Sequence, residues 1–95
     1  MGGYGMKKAI ITVVGKDSVG IIAKVCTYLS EKNINILDIS QTITGGYFNM
    51  MMVVDLQLTS SSLDEIDNGL AALGNEIGVL IKMQLEEIFT SMHRI

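Results

Sequence analysis

Residues 34–58 read INILDISQTITGGYFNMMMVVDLQL, and the glycines at 45 and 46 divide this run into two extended segments. Gly45-Gly46 supplies positive φ at both centres of a tight turn, which is hairpin chemistry. After it, Phe48, Met50, Met52, Val54, Leu56 and Leu58 point one way, while Tyr47, Asn49, Met51, Val53, Asp55 and Gln57 point the other. That period of two makes Tyr47 to Leu58 a strand with one core face and one amphipathic face. Before the turn, Ile34, Ile36, Leu37, Ile39 and Ile43 are apolar between Ile34 and Thr44. Their alternation slips between Ile36 and Leu37, which predicts a bulge there.

Working outward toward the N-terminus, Lys8 to Val14 (Lys-Ala-Ile-Ile-Thr-Val-Val) is β-branched, ends at Gly15 and is apolar on both faces, so it predicts a central strand. Gly15-Lys16-Asp17-Ser18 is turn chemistry, with Asp17 or Ser18 able to accept from the free amides of a following helix. That helix carries Val19, Ile22, Cys26 and Leu29 as its apolar stripe and stops near Lys32-Asn33. On the C-terminal side, Ser60-Ser61-Ser62 is a polar loop, and Ser62 with Glu65 has the form of a capping box. Leu63, Ile66, Leu70, Leu73 and Ile77 then mark a second helix, in which Gly69 and Gly74 permit close approach to a sheet. Val79, Ile81, Met83 and Leu85 alternate with Leu80, Lys82, Gln84 and Glu86 in a last strand, and 87–95 is expected to form a short terminal helix.

The order β-α-β-β-α-β, with two interleaved right-handed crossovers, predicts an α+β ferredoxin-like sandwich: a four-stranded antiparallel sheet with both helices on one face. The other sheet face then has no cover within the chain. It is expected to carry Ile10 or Val14 with Tyr47, Met51 and Val53.

At 95 residues the chain is one domain. Met1-Gly2-Gly3-Tyr4-Gly5 is too glycine-rich to nucleate structure, so 1–6 reads as a disordered or added segment with Met6 as the natural start, and 7–95 as the domain. Only 18% of residues are charged and 48% are apolar, with a mean hydropathy of +0.41. A small molecule has much surface to cover, so some apolar area is expected to meet a partner. Net charge −3 and pI near 4.9 offer no field for a phosphate backbone, and nucleic acid is not expected. No apolar run approaches the ~20 residues of a membrane span, so no membrane is expected. One cysteine, Cys26, suits a reducing cytoplasm.

The fold hosts many functions, so the residues must decide. One cysteine cannot hold an iron–sulfur cluster or a Cys-x-x-Cys copper site. Tyr47 and Phe48 point to opposite faces, which does not build an RNA-stacking platform. His93, the sole histidine, lies two residues from the end, and Cys26 sits on an apolar stripe as a small buried hydrophobe. Asp64, Glu65 and Asp67 serve a helix N-terminus, adjacent Glu86 and Glu87 cannot both face one site, and Met50-Met51-Met52 fills core and interface. No catalytic residue, metal ligand or cofactor is expected. What remains is Gly15-Lys16-Asp17-Ser18-Val19-Gly20, which joins a central strand to a helix start. Such amides favour an anionic group such as a carboxylate, Gly20 lets a ligand approach closely, and Asp17 suits an ammonium. An ordinary glycine turn with an N-cap explains the same residues.

Asp17-Ser18-Val19-Gly20-Ile21-Ile22-Ala23, then Asn33-Ile34-Asn35-Ile36, then Ile39-Ser40-Gln41, on this topology, resemble the ACT domain family over about residues 7 to 90. The chain is most similar to free-standing single-domain members, often uncharacterised, and to the ACT parts of the glycine cleavage system repressor and formyltetrahydrofolate deformylase. The resemblance implies a regulatory module, not an enzyme, that binds an amino acid or similar metabolite at a homodimer interface and modulates a partner protein in trans. It places Gly15, Asp17, Ser18, Val19 and Gly20 of one subunit on one side of the ligand, and Asn35 with Leu37 of the other subunit opposite. A ligand-free ACT-like module for dimerisation or protein interaction is the alternative.

Overall fold

The computed structural model describes residues 8–16 and 20–85. Its elements are β1 (Lys8–Lys16), α1 (Ile21–Glu31), β2 (Asn35–Thr44), β3 (Tyr47–Asp55), α2 (Leu63–Ile77) and β4 (Val79–Leu85), in the expected order. The strands form one antiparallel sheet ordered β2-β3-β1-β4, with the apolar first and third strands at its centre. This is the ferredoxin-like arrangement. The expected terminal helix with His93, and the turn residues Asp17, Ser18 and Val19, lie outside the described residues.

Register decides what faces the helices. Ala9, Ile11 and Val13 of β1 lie opposite Val54, Met52 and Met50 of β3, and Ile11 and Val13 lie opposite Met83 and Ile81 of β4. Onto this layer α1 lays Ile21, Val25 and Leu29, and α2 lays Ile66 and Leu70. Each such side chain, fully buried, contributes about 1.5–3 kcal/mol of transfer free energy.

α1 corrects the expected stripe. It begins at Ile21, with Gly20 as its N-cap at φ 91°, and the expected cap residues Asp17 and Ser18 lie outside the described residues. Buried Ile21, Val25 and Leu29 form the stripe, while Ile22 and Cys26 are only half-buried along its flank. The cause is a wide apolar arc spanning all five residues, whose centre is set by packing against the sheet and not by spacing alone.

The helix ends in a clasp. Asn33 takes φ 59°, its N–H donates to the Ser30 carbonyl at 3.1 Å, and the Ile34 N–H donates to the Leu29 carbonyl at 2.9 Å. This is a Schellman motif with buried Leu29 and Ile34 as its apolar pair. Asn33→Gly is expected to leave thermal stability unchanged or slightly raised, whereas Asn33→Val should cost about 1–2 kcal/mol, because β-branched residues resist the left-handed region. Thermal denaturation followed by circular dichroism reads both.

In β2 the expected bulge is present: Ile36 pairs with Val54 and Asp38 with Val53, leaving Leu37 unpaired. β2 is an edge strand, and Ile39 and Ile43 stay exposed. Gly45 and Gly46, at φ 59° and 82°, close the hairpin as expected. β3 stops earlier than the alternation suggests. The Asp55 carboxylate accepts from the Gln57 N–H at 2.9 Å, which bends the chain, buries Leu56 and turns Leu58 out at 77% exposure.

The capping box of α2 is formed: the Glu65 N–H donates to Ser62 Oγ at 3.1 Å and the Ser62 N–H donates to Glu65 Oε1 at 3.0 Å. Gly74 lies against the sheet as expected, where a Cβ would stand 2.6 Å from the Val79 carbonyl oxygen. Gly69 instead makes room for the Tyr28 ring of α1. β1 runs through Gly15 to Lys16, two residues further than its β-branched run, because both continue the pairing with β3. The face away from the helices carries Ile10, Thr12 and Val14, with Tyr47, Asn49, Met51 and Val53, as expected.

Candidate functional site

The described part of the predicted site falls into two groups. Gly15 is at the end of β1, opposite Phe48 of β3, which pairs in turn with Ile43 of β2. Gly20 stands at the start of α1, on the same side of the sheet as that end. Asn35, at the start of β2, lies opposite Asp55 and therefore level with Lys8. Seven positions of β1 separate the two levels, about 23 Å at ~3.3 Å per residue. Within one chain, Gly15 and Asn35 cannot touch the same small metabolite. Leu37, the bulge residue beside Asn35, is 43% exposed on the edge strand.

Each group adjoins an open cleft between α1 and β2. One, of about 540 Å³, is lined by Gly20, Ile21, Ile22 and Ala23 from the helix start and by Gln41 and Ile43 from the strand. The other, of about 440 Å³, includes Ser30, Asn33, Asn35 and Ile36 at the far end. Cys26 lines both, midway along α1.

The chemistry at the helix start is specific. The first intrahelical bond is donated by the Lys24 N–H to the Gly20 carbonyl at 3.0 Å, so the N–H groups of Ile21, Ile22 and Ala23 precede the ladder. No side chain among the described residues caps them, and these donors present a partial positive charge suited to a carboxylate. Gln41 adds an amide that both donates and accepts beside apolar Ile22 and Ile43. Sequence reasoning did not single out Gln41, although it is the polar break in the apolar series Ile36, Ile39, Gln41, Ile43 that β2 turns toward the helices.

Gly15 has a packing role that spacing did not reveal. It pairs with Val79 of β4, and a Cβ there would stand 2.7 Å from Val79 Cγ1.

Burial pushes the Cys26 thiol above its ordinary pKa, and burial followed by the Glu65 carboxylate does the same for the Tyr28 phenol. Both folded values lie above their unfolded ones, so the linked stability is present below the unfolded pKa and is lost as pH rises through the folded value. Stability should decline above about pH 9. Iodoacetamide should modify Cys26 at pH 8 several-fold more slowly than an unfolded peptide thiol, a rate readable by mass spectrometry; equal rates would contradict the burial.

Among the described residues, no group of three or more His, Cys, Asp or Glu side chains is placed to hold a metal ion. No described helix is long and apolar enough to cross a membrane.

The sequence pattern of the ACT domain matches residues 7–84. The chain belongs to the ACT domain family. A UPF0237 protein of Bifidobacterium longum is 62% identical over 90 residues, covering 95% of this chain and 100% of that protein. An ACT domain protein from Streptococcus pneumoniae is 44% identical with a TM-score of 0.78, covering 90% of this chain and 94% of that one. A structure assigned as a glycine cleavage system transcriptional repressor is 24% identical with a TM-score of 0.74, covering 84% of this chain and 46% of that chain, a likeness of fold. This ACT chain is therefore a member of a regulatory domain family, and its near relatives match it over essentially their whole length.

Proposed function

We propose that this ACT-domain protein binds an amino acid or similar zwitterion at a homodimer interface and modulates a partner protein in trans. The observation that carries the reading is the separation of the two halves of the site along an exposed edge strand. Two β2 edges pairing antiparallel about a two-fold axis bring the Ile43 end of one strand to the Asn35 end of the other. The Gly20 cleft of one copy then adjoins Asn35 and Leu37 of the second, so the contact that hides the apolar edge also completes a site. The free amides of Ile21 to Ala23 take the ligand carboxylate, and Gln41 with Asn35 of the second copy supplies polar contacts. Ser18 and Val19, which precede Gly20 in the chain, belong to the same half of the site, and Asp17 provides a carboxylate for the ammonium group. Ligand binding that favours one arrangement of the two copies shifts their population by its differential affinity, which is how such a module passes a signal.

Calorimetric titration with the twenty amino acids tests this. Expected are binding of at least one at micromolar to millimolar concentration, one ligand per chain, and at least about tenfold weaker binding by Asn35→Ala and by Gln41→Ala, the loss of one or more hydrogen bonds to a charged group. Silence from every amino acid at millimolar concentration overturns the ligand. If a dimer indifferent to metabolites captures one specific protein, the ligand-free interaction module is the function.

A further inference from the structure

The helix-free sheet face is exposed and lies at right angles to the β2 edge. It leaves Val14 43%, Met51 40%, Tyr47 54% and Leu80 58% exposed. Reading across the strands in the order β2-β3-β1-β4, its rows are Asn35-Asp55-Lys8 at one end, then Asp38-Val53-Ile10-Gln84, then Ser40-Met51-Thr12-Lys82, then Thr42-Asn49-Val14-Leu80, and finally Thr44-Tyr47-Lys16. Among the described residues, the acids of this face, Asp38 and Asp55, both lie on the β2-β3 half. The bases, Lys8, Lys16 and Lys82, all lie on the β1-β4 half.

We propose that a second copy of this chain packs back to back on this face, about a two-fold axis parallel to the strands and centred between β3 and β1. Such an axis sets each residue over the position mirrored across the sheet midline at the same level. Asp55 then meets Lys8 of the second copy, and Tyr47 meets Lys16, a cation over an aromatic ring. Val53 meets Ile10, and Met51 meets Thr12. Asp38 meets Gln84, with the long Lys82 side chain one pleat away. Among the described residues no acid faces an acid and no base faces a base. The alternative two-fold axis, perpendicular to the strands, sets Lys8 against Lys16 and lacks this match. Twisted sheets pack aligned within about 30°, so the pairing of levels holds across four strands.

The mixed charge also selects the occupant. A partner of uniform sign, such as an acidic lipid surface or a polyanion, is repelled by half of this face, whereas a copy of the chain is complementary to both halves. The area is sufficient: four strands at ~4.8 Å spacing and about 30 Å long give roughly 500 Å² a side, on the order of 1,000 Å² in total, the size at which specific interfaces begin.

Sedimentation velocity over a concentration series reads the assembly. Met51→Lys should remove one association step while leaving the circular dichroism spectrum unchanged. Asp38→Lys and Lys82→Asp should each weaken that step by about tenfold, and the double swap should restore it to within about threefold. Asp38 and Lys82 sit on opposite edge strands, separated by β3 and β1, so rescue cannot arise inside one chain. Glu76→Lys, altered on exposed α2 on the other side of the sheet, should retain the step. A wild-type chain monomeric throughout overturns the proposal. So does a mass indifferent to Met51→Lys, whether residues 86–95 or a different protein covers the face. Single reversals that weaken association without rescue by the swap overturn the two-fold arrangement.

Discussion

Gly15→Val will not fold at 25 °C, and Gly15→Ala will lower the midpoint of thermal unfolding by about 10–20 °C. The first added carbon lands 2.7 Å from Val79 Cγ1, 3.0 Å from its Cβ and 3.1 Å from its Cα, inside contact distance of three atoms at once. Overpacking of this kind costs about 2–3 kcal/mol, and each kcal/mol moves the midpoint of a domain this size by about 4–8 °C. Val79 opens β4, paired with Gly15 on one side and lying under Gly74 on the other, so neither glycine can accept a side chain without moving it. Truncating the neighbour tests this. In Gly15→Ala/Val79→Ala the nearest contact, Cγ1, is gone, and about half the loss should return. Gly74→Ala meets the Val79 backbone carbonyl instead, so the same truncation should not rescue it. If Gly15→Ala keeps its melting temperature yet loses amino-acid binding, the glycine serves ligand approach and the packing account is wrong.

Leu29→Ala should cost about 3–5 kcal/mol, the upper part of the range for truncating a buried leucine. Leu29 is wholly buried, and it does two things. Its side chain fills the core under α1, and its carbonyl accepts from Ile34 in the clasp that aims the chain into β2. The cavity therefore opens where the apolar pair of that clasp meets, and the turn loses the packing that holds Asn33 in its left-handed conformation. Leu73→Ala, half-buried on α2, is the control and should cost about 1–2 kcal/mol. Urea denaturation at unchanged slope reads both; a Leu29→Ala loss below about 1 kcal/mol would mean that the core closes over the gap.

The order of elements was legible because each carries its own local chemistry: two glycines for the hairpin, Ser62 with Glu65 for the cap of α2, and period-two apolar runs in β3 and β4. The bulge at Leu37 was legible for the same reason, as a slip in alternation. What spacing could not show depends on partners distant in the chain. Cys26 and Val25 are equally apolar on paper, and only the sheet beneath α1 decides which is buried. Leu58 continues the alternation of β3 but follows the Asp55 turn, so a local hydrogen bond overrides the pattern. Gly15 looked like a turn glycine beside a ligand because Val79, 64 positions later, is invisible from its neighbourhood. Of the candidate site, Gly20 was marked by its place at a helix start, and Asn35 and Leu37 through the family resemblance. Gln41 was passed over because a lone polar residue in an edge strand is common.

Placing β1 between β3 and β4 sets a timetable for synthesis. The β2-β3 hairpin can close as soon as it is made, across two residues. β1, made first, acquires its second neighbour only when β4 is complete at Leu85. At translation rates of about 5–20 residues per second, that is roughly 4–15 s during which one long side of this central strand has no backbone partner. A chain cut short before Val79 would form at most a three-stranded sheet whose open border is β1 itself, a ready template for another chain.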